Sequence, residues 1–344
     1  PSDYEDGDGD TLETLDDKIG RILAQQEESG INTTEGETQA QALISLAKKS
    51  GAVFFHDEHQ RAYVKLPIKG RKFVCLVRSG HMKRWLNLHY FETVGGTVQT
   101  TAIAQAIDLL EAEAIHNEGQ MSTYTRNAPF ENSVIYNLAN SDGEVAIINA
   151  DGYEVSNESP VNFLNSPTLK SLPVPEPSSG DILERFQKIL GLSHYHFHCV
   201  LAFIINAMRP RGPYICLLVQ GEQGSGKSFL CSVIKDLLDP SSAPKLSMPK
   251  NERDLMIVAQ DNALLLFDNM SGLSDEMSDA LCRLSTGTGY ATRKLYSDND
   301  LQVFSECCPF ICNGISGISE RPDLIDRSLA LVLPSMDEEN RQLE

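Results

Sequence analysis

Several features of secreted and membrane proteins are missing from this sequence. No apolar run approaches the roughly 20 residues that a membrane-spanning helix needs. Residues 1–10 contain neither the basic nor the apolar stretch of a signal peptide. The eight cysteines include no CxxC pair and lie mostly in apolar stretches, so we expect buried thiols in a reducing compartment and no structural zinc. These absences predict a cytoplasmic protein without a membrane partner.

Positive charge is also scarce. The chain has 29 Lys and Arg against 48 Asp and Glu, a net charge of −19. Residues 1–40 contain twelve acidic and two basic side chains, a net of −10, so the other 304 residues carry only −9. No predicted domain is basic overall. Any contact with nucleic acid must therefore come from a local cluster of cations.

Changes in composition divide the chain into four predicted parts. Residues 1–38 form an acidic arm, in which apolar residues at helical spacing between 11 and 28 predict one helix. Residues 39–164 are expected to form a small α+β domain, with helices near 38–49, 80–92 and 99–116 and six short strands. Residues 165–180 have the Pro- and Ser-rich composition of a linker. Residues 181–344 form the fourth part, in which the pattern of apolar runs and helices differs from that of the preceding residues.

The last part has the pattern of an α/β domain. A helical stretch at 181–208 leads to an apolar strand, a Gly-rich turn and a helix near 227–238. Later apolar runs at 263–267, 309–312 and 329–333 predict buried strands of a parallel sheet covered on both faces by helices. An abrupt end after the last of these strands indicates a fragment of a longer polypeptide.

The turn between that first strand and its helix has the spacing of a phosphate-binding loop. Residues Gly221–Ser228 fit G-x-x-x-x-G-K-[ST], in which glycines let backbone N–H groups surround phosphates and the helix N-terminus adds positive potential. Lys227 would neutralise the β- and γ-phosphates of ATP, and the Ser228 hydroxyl would bind Mg²⁺. The expected nucleotide-binding residues are Gly221, Glu222, Gln223, Gly224, Ser225, Gly226, Lys227, Ser228 and Phe229.

Two later strands each end in a polar residue that would lie beside this loop. Asp268 ends the strand 264–267 and is the expected second Mg²⁺ ligand. Asn313 ends the strand 309–312, where its amide could orient the attacking water. Between them, two strand-like runs joined by residues 297–300 predict a β-hairpin. Its stem carries Arg293, Lys294 and Tyr296, basic and aromatic side chains suited to a single strand of DNA, although a structural hairpin is the alternative.

The order of these motifs over residues 181–335 resembles the superfamily III helicase domain. More narrowly, it is similar to the AAA+ motor of phage- and plasmid-type primase-helicases, which are related to the poxvirus primase-helicase. The resemblance implies an ATP-hydrolysing, AAA+-like P-loop NTPase fold and a ring of subunits, expected to be hexameric, on single-stranded or forked DNA. It also implies that Asn313 is the sensor, that the hairpin grips DNA, and that Arg327, or alternatively Arg321, reaches the ATP of a neighbouring subunit.

One residue departs from the pattern of that family. Asn269 stands where a second acid usually follows the metal-binding aspartate, and an amide cannot accept a proton at neutral pH. Either hydrolysis is slow, or Glu222, Asp275 or Glu276 supplies the base.

The first hypothesis is therefore a DNA helicase or translocase of phage or mobile-element replication, in a bacterial or phage-infected cell. The second is an ATP-controlled assembly switch or scaffold with weak hydrolysis. A small-molecule kinase fits less well, because it explains neither the hairpin nor Arg327. His194, His196 and His198 beside Cys199 are interpreted as structural, since no carboxylate accompanies them.

Overall fold

The structure is a computed structural model that describes residues 38–68, 70–116, 119–178, 180–293, 301–304, 306–315, 317–318 and 321–335. The chain forms two compact units, Pro1–Met121 and Ser122–Glu344. The helix predicted between residues 11 and 28 lies outside the described residues.

The first unit contains an antiparallel sheet and helices packed around one apolar core. Its first helix begins at a capping box, in which the side chains of Thr38 and Gln41 each bond the other residue's backbone N–H. Leu43, Val64 and Leu110 are fully buried in the core. The elements are α1 (Gln39–Lys49), β1 (Val53–His56), β2 (Ala62–Ile68), β3 (Arg71–Leu76), α2 (Gly80–Val94) and α3 (Thr100–His116), with the strands in the order β1-β2-β3.

The second unit begins with an antiparallel meander. It comprises β4 (Thr123–Tyr124), β5 (Asn127–Phe130), β6 (Ser133–Asn137), β7 (Val145–Asn149), β8 (Gly152–Ser156) and β9 (Asn162–Phe163), with β5 to β8 forming one sheet in sequence order. The strands predicted in this segment are therefore present. The division of the chain differs from the prediction. We expected residues 39–164 to form a single domain, but these strands belong to the second unit.

A buried ionic network explains this division. Arg126 and Lys235 are 0% and 1% exposed, and they share the Asp239 carboxylate at 3.1 Å and 2.8 Å. In addition, the Tyr136 hydroxyl donates to the Leu238 carbonyl oxygen at 2.6 Å. Since Lys235 and Leu238 belong to the helix that follows the Gly-rich turn at 221–226, these bonds attach the meander to the α/β part of the chain.

The α/β part is built on a parallel sheet. Its elements are α4 (Ile182–Leu190), α5 (His194–Ala207), β10 (Cys216–Gly221), α6 (Lys227–Leu238), α7 (Glu252–Gln260), β11 (Leu265–Met270), α8 (Asp275–Thr286), β12 (Tyr290–Arg293), β13 (Leu301–Phe304), β14 (Phe310–Gly314), α9 (Pro322–Asp326) and β15 (Ser328–Leu333). The four long strands pair in parallel in the order β11-β14-β10-β15. One cluster of buried residues, including Phe267 and Phe310, and another, including Ile234 and Ile311, complete the core.

The predicted helix over 181–208 is two helices, α4 and α5, which meet at an angle of 110°. Gly191 ends α4 in the left-handed region (φ 62°), and the Ser193 hydroxyl caps the first turn of α5. Among the described helices, none is by itself long and apolar enough to cross a membrane; this bent pair passes the same test only when its two members are taken together.

Candidate functional site

Three strand ends meet at the carboxyl edge of the parallel sheet. β14 lies between β10 and β11, so Asn313 is flanked by the Gly-rich turn on one side and by Asp268 on the other. The sequence predicts each strand end separately, and the strand order brings them together. In open α/β sheets this edge is where ligands bind.

The backbone of the turn depends on its glycines. Gly221 has φ 156°, and a Cβ there would lie 2.7 Å from both the Leu333 carbonyl oxygen and the Ser225 hydroxyl. Gly224 and Gly226 have φ values of 82° and 79°, a region that other residues enter at a cost. Gly226 is also the N-cap of α6 and provides no side-chain cap, which leaves the first N–H groups of this helix without a side-chain acceptor.

The Lys227 ammonium group is held against its own loop. It donates to the carbonyl oxygens of Gly221 at 2.7 Å and Glu222 at 2.6 Å, and it lies 3.3 Å from the Ser225 hydroxyl. These bonds hold the cation beside the open backbone of the turn, where an anion would compete for it.

Asp268 links β11 to the helix after the turn. Its Oδ1 accepts a hydrogen bond from the Ser228 hydroxyl at 3.1 Å, and its Oδ2 lies 3.7 Å from Lys245 Nζ. Lys245 is a site residue that the sequence analysis missed. It reaches Asp268 because its neighbour Leu246 pairs with Phe267 in a single parallel bridge beside β11, and no local pattern in the sequence marks that pairing.

Asn269 and Asn313 form a second link across the same strand ends. Asn269 is in the left-handed region (φ 57°) at an irregularity in the pairing of β11 with β14. Its N–H donates to Asn313 Oδ1 at 2.8 Å. Asn313 is 1% exposed, and its side chain interacts with the Cys231 thiol, but its Nδ2 has no acceptor within hydrogen-bond distance among the described residues. Since a buried donor without an acceptor is costly, this atom marks a polar position within the site.

A buried thiol lies beneath these groups. Burial raises the pKa of Cys231, in the first turns of α6, to about 12, although the interaction with the Asn313 side chain and the charges of Lys245 and Lys227 oppose the shift. The thiol is therefore neutral at physiological pH and is not a nucleophile.

The two candidate arginines have different surroundings. Arg321 Nη2 donates to Asp279 at 2.8 Å and Nη1 lies 3.8 Å from Asp275, so both charges that it meets belong to α8 of its own subunit. Arg327 is exposed, and its carbonyl oxygen accepts from Cys216 N at the amino end of β10. Five residue steps, about 17 Å at ~3.3 Å each, separate that point from Gly221. Arg327 thus lies at the opposite edge of the sheet from the turn of its own chain.

The three candidate bases also differ. Asp275 faces Arg321, and hydrogen bonds at the start of α8, from the Glu276 backbone and then from Ser274, lower the pKa of Glu276. Glu222 is exposed within the turn itself, and its carboxylate forms no ion pair with any described residue. Of the three, only Glu222 is on the Gly-rich turn.

The predicted hairpin is confirmed in its backbone, where β12 and β13 pair antiparallel and Arg293 lies opposite Leu301. Lys294 and Tyr296 lie outside the described residues.

In α5, His194 and His198 have ring centroids 4.4 Å apart, and His198 Nδ1 lies 2.6 Å from the His194 carbonyl oxygen. This bond is internal to the helix.

Comparison with known proteins gives a match for the second half of the chain. Residues 186–342 match the family model AICE_RepA, the actinomycete integrative conjugative element replication protein. This is just under half of the chain, and it includes the turn, Asp268, Asn313 and Arg327. No curated protein matches.

Similar solved structures are distant. Two apo structures of the NrS-1 C-terminal region are 12% and 13% identical, with TM-scores of 0.43 and 0.45, and they align with 85% and 89% of this chain. The chain spans 61% and 64% of their lengths, less than two thirds. A structure of JCV helicase with a bound small molecule is 18% identical over 40% of each chain, with a TM-score of 0.28.

Proposed function

We propose that this protein is an ATP-dependent motor of DNA replication, with Mg-ATP bound at the carboxyl edge of the parallel sheet. The observation that supports this best is the meeting of Ser228, Asp268 and Asn313 beside a Gly-rich turn at a helix N-terminus. The similarity of residues 186–342 to a replication protein family supports a role in replication.

The residues of the site fit a magnesium nucleotide. The hydroxyl of Ser228 and the carboxylate of Asp268 are oxygen ligands of the kind that Mg²⁺ prefers, and they are already within hydrogen-bond distance. Mg²⁺ would supply charge neutralisation at the β- and γ-phosphates. Lys227 would exchange the carbonyl oxygens of Gly221 and Glu222 for phosphate oxygens. The Nδ2 of Asn313 would donate to the attacking water or to a phosphate oxygen. Glu222 is our candidate for the base, because it is exposed on the turn itself.

Arg327 is the better candidate for a group that acts on a neighbouring subunit. It cannot reach the phosphates of its own chain from the opposite sheet edge, and Arg321 is already paired with Asp275 and Asp279. A guanidinium from the next subunit would stabilise charge that develops in the transition state. We therefore propose an oligomer, a ring of six subunits by the family resemblance, with the β12–β13 hairpin and its Arg293, Lys294 and Tyr296 as a DNA contact.

An ATP-controlled assembly switch is the second candidate, and Asn269 is the observation that favours it. With an amide in place of the second acid, the protein could hold ATP for longer than a motor does. Residues that bind the nucleotide would be the same in both proposals.

ATP hydrolysis with and without single-stranded DNA separates the two proposals. The motor predicts turnover that DNA stimulates and that Lys227→Ala abolishes, whereas the switch predicts tight binding of ATP with little turnover under either condition. If the wild-type protein does not bind ATP at all, both proposals are wrong.

A shared site is tested by mixing two inactive variants. Subunits with Lys227→Ala keep their Arg327, and subunits with Arg327→Ala keep their Lys227, so mixed oligomers contain some complete sites. Partial recovery of hydrolysis is expected on mixing. If size-exclusion chromatography shows that the two variants co-assemble but hydrolysis does not recover, Arg327 does not act on a neighbouring subunit.

A further inference from the structure

The first unit contains a segment whose charge is opposite to that of the whole chain. Between His59 and Phe91 there is no Asp or Glu, whereas the chain as a whole carries −19. The same segment contains eight basic residues: Arg61, Lys65, Lys69, Arg71, Lys72, Arg78, Lys83 and Arg84. Residues 38–121 sum to ten basic and seven acidic side chains, a net of +3. Five of these residues lie in described elements: Lys65 in β2, Arg71 and Lys72 in β3, and Lys83 and Arg84 in α2.

Part of this charge is already neutralised. Arg61 pairs with Asp57, and Arg78 pairs with Asp108 and Glu111 of α3. Lys83 and Arg84 on α2 are exposed and form no ion pair with any described residue. Burial lowers the pKa of Lys65, and the nearby charge of Lys72 lowers it further. Uncompensated cations close together favour an anionic partner.

Flat rings lie among these cations. His81, Trp85 and His89 recur every four residues and so form a column along α2, with Arg84 and Leu88 on the same face. Trp85 and His89 are stacked, with centroids 5.0 Å apart and 18° between the planes. At the start of the column, Phe73 of β3 lies 5.1 Å from His81. We call His81, Arg84, Trp85, Leu88 and His89 the α2 stripe.

We propose that the α2 stripe, with Lys83 beside it, binds single-stranded nucleic acid. Lys83 and Arg84 contact phosphates, and bases stack on the half-buried Trp85 and its neighbouring histidine rings. Aromatic rings beside unpaired cations form the combination that holds a single strand without sequence preference. This site is separate from the β12–β13 hairpin and requires no nucleotide, so it does not depend on the proposed motor.

An anionic membrane is the rival partner, because Leu88 and Phe91 are exposed apolar side chains on the same helix, 57% and 50% accessible. The stacked Trp85–His89 pair favours nucleic acid, since flat rings suit base stacking better than they suit acyl chains. Trp85 distinguishes the two, because it is the only tryptophan in the chain and its emission reports this surface alone.

The test uses the full chain without ATP. We expect an oligothymidylate to quench Trp85 emission without a blue shift, and vesicles of phosphatidylserine and phosphatidylcholine to leave the emission unchanged. In a fluorescence anisotropy assay with labelled oligothymidylate, the double variant Lys83→Gln/Arg84→Gln should bind about tenfold more weakly. Its slope of log affinity against log salt should fall by about 1.4, at ~0.7 for each lost phosphate contact on a single strand.

Lys48→Gln is the matched control, because it removes one cation of the same unit that is already paired with Glu113; its affinity should stay at the wild-type value. Trp85→Phe keeps a ring in the partly buried position and should weaken binding by a smaller factor than the double variant. Circular dichroism and urea unfolding establish that each variant is folded.

Three results would overturn the proposal. The first is oligothymidylate binding that leaves both Trp85 emission and the affinity of the double variant unchanged. The second is a blue shift with vesicles and no response to DNA, which would assign the surface to a membrane. The third is the absence of any binding to oligothymidylate. None of these results bears on ATP binding at Lys227, so this inference and the proposed function can fail separately.

Discussion

Asn269 combines an unusual backbone with an unusual side chain. Asn and Asp are the residues other than glycine that enter the left-handed region most readily, so φ 57° is compatible with either. Its N–H is fixed by Asn313, and its side chain is exposed beside Asp268. The position can therefore be given a carboxylate without changing the fold.

We predict that Asn269→Asp increases steady-state ATP hydrolysis at least about tenfold, because a positioned general base typically contributes ~10²-fold or more. A coupled phosphate-release assay measures this. Asn269→Gly keeps the backbone conformation but adds no carboxylate, and it should give no increase. Equal rates for the two variants would mean that the missing acid does not limit hydrolysis.

Gly221 is constrained by its surroundings as well as by its dihedral angle. Gly221→Ala places a Cβ 2.7 Å from a backbone oxygen of β15, and we expect it to destabilise the second unit by about 3 kcal/mol or more. Gly317 has φ 60° but open space around it, so Gly317→Ala should cost only about 1 kcal/mol. Urea unfolding of the two variants gives the comparison; similar losses would show that the close approach to Leu333 relaxes.

At the scale of elements, the sequence predicts those features that a local pattern encodes. The apolar run before Asp268, the Gly-rich turn and the polar residue near the end of β14 each have such a pattern, and the strands and the turn are present at the predicted positions. Lys245 has no pattern, because its place follows from a single bridge between Leu246 and Phe267. The bend at Gly191 was missed because both helices continue the same apolar spacing.

Assignment of the meander had a further consequence for charge. Residues 39–164 contain eleven basic and thirteen acidic side chains, a net of −2, whereas residues 38–121 have a net of +3. Placing β5 to β8 in one domain with residues 39–121 therefore hid the positive charge of that segment. The meander belongs to the second unit because Arg126 bonds Asp239 and Tyr136 bonds Leu238, at the end of α6. These residues are about a hundred positions apart, and local patterns do not encode such contacts.

The network around Asp239 gives a prediction for the contact between the meander and α6. Asp239→Ala leaves Arg126 and Lys235 as two buried cations without a counter-charge, and we expect a loss of about 3–5 kcal/mol in the free energy of unfolding of the second unit. Arg126→Met leaves the Lys235–Asp239 pair intact and should cost less. Thermal unfolding measures both; the reverse order would show that the guanidinium bonds to the Asn137, Lys170 and Pro240 carbonyl oxygens dominate.

At the scale of the whole molecule, buried thiols make stability depend on pH in the alkaline range. Burial raises the pKa of Cys216 and Cys231 to about 12 each, against ~8.5 for an exposed thiol in the unfolded chain. The folded pKa is the higher one, so the stabilisation is complete below pH ~8.5 and is lost as pH rises towards 12.

We therefore predict that the free energy of unfolding of the second unit in urea falls as pH rises above ~8.5, at a rate that approaches about 1.4 kcal/mol per pH unit for each such thiol. Cys216→Ala removes one titrating group and should reduce this pH dependence, even though its cavity lowers stability at every pH. A variant with the wild-type pH dependence would show that the Cys216 thiol does not contribute.

The separation of Arg327 from the Gly-rich turn by the length of β10 bears on how copies of this chain could associate. A head-to-tail contact would bring the arginine of one copy to the turn of the next and complete one site at each contact, which gives a closed ring or an open helical filament. A two-fold symmetric dimer could complete two sites only if Arg327 and the turn share one surface, and electron micrographs of ATP-bound particles would distinguish rings, filaments and dimers.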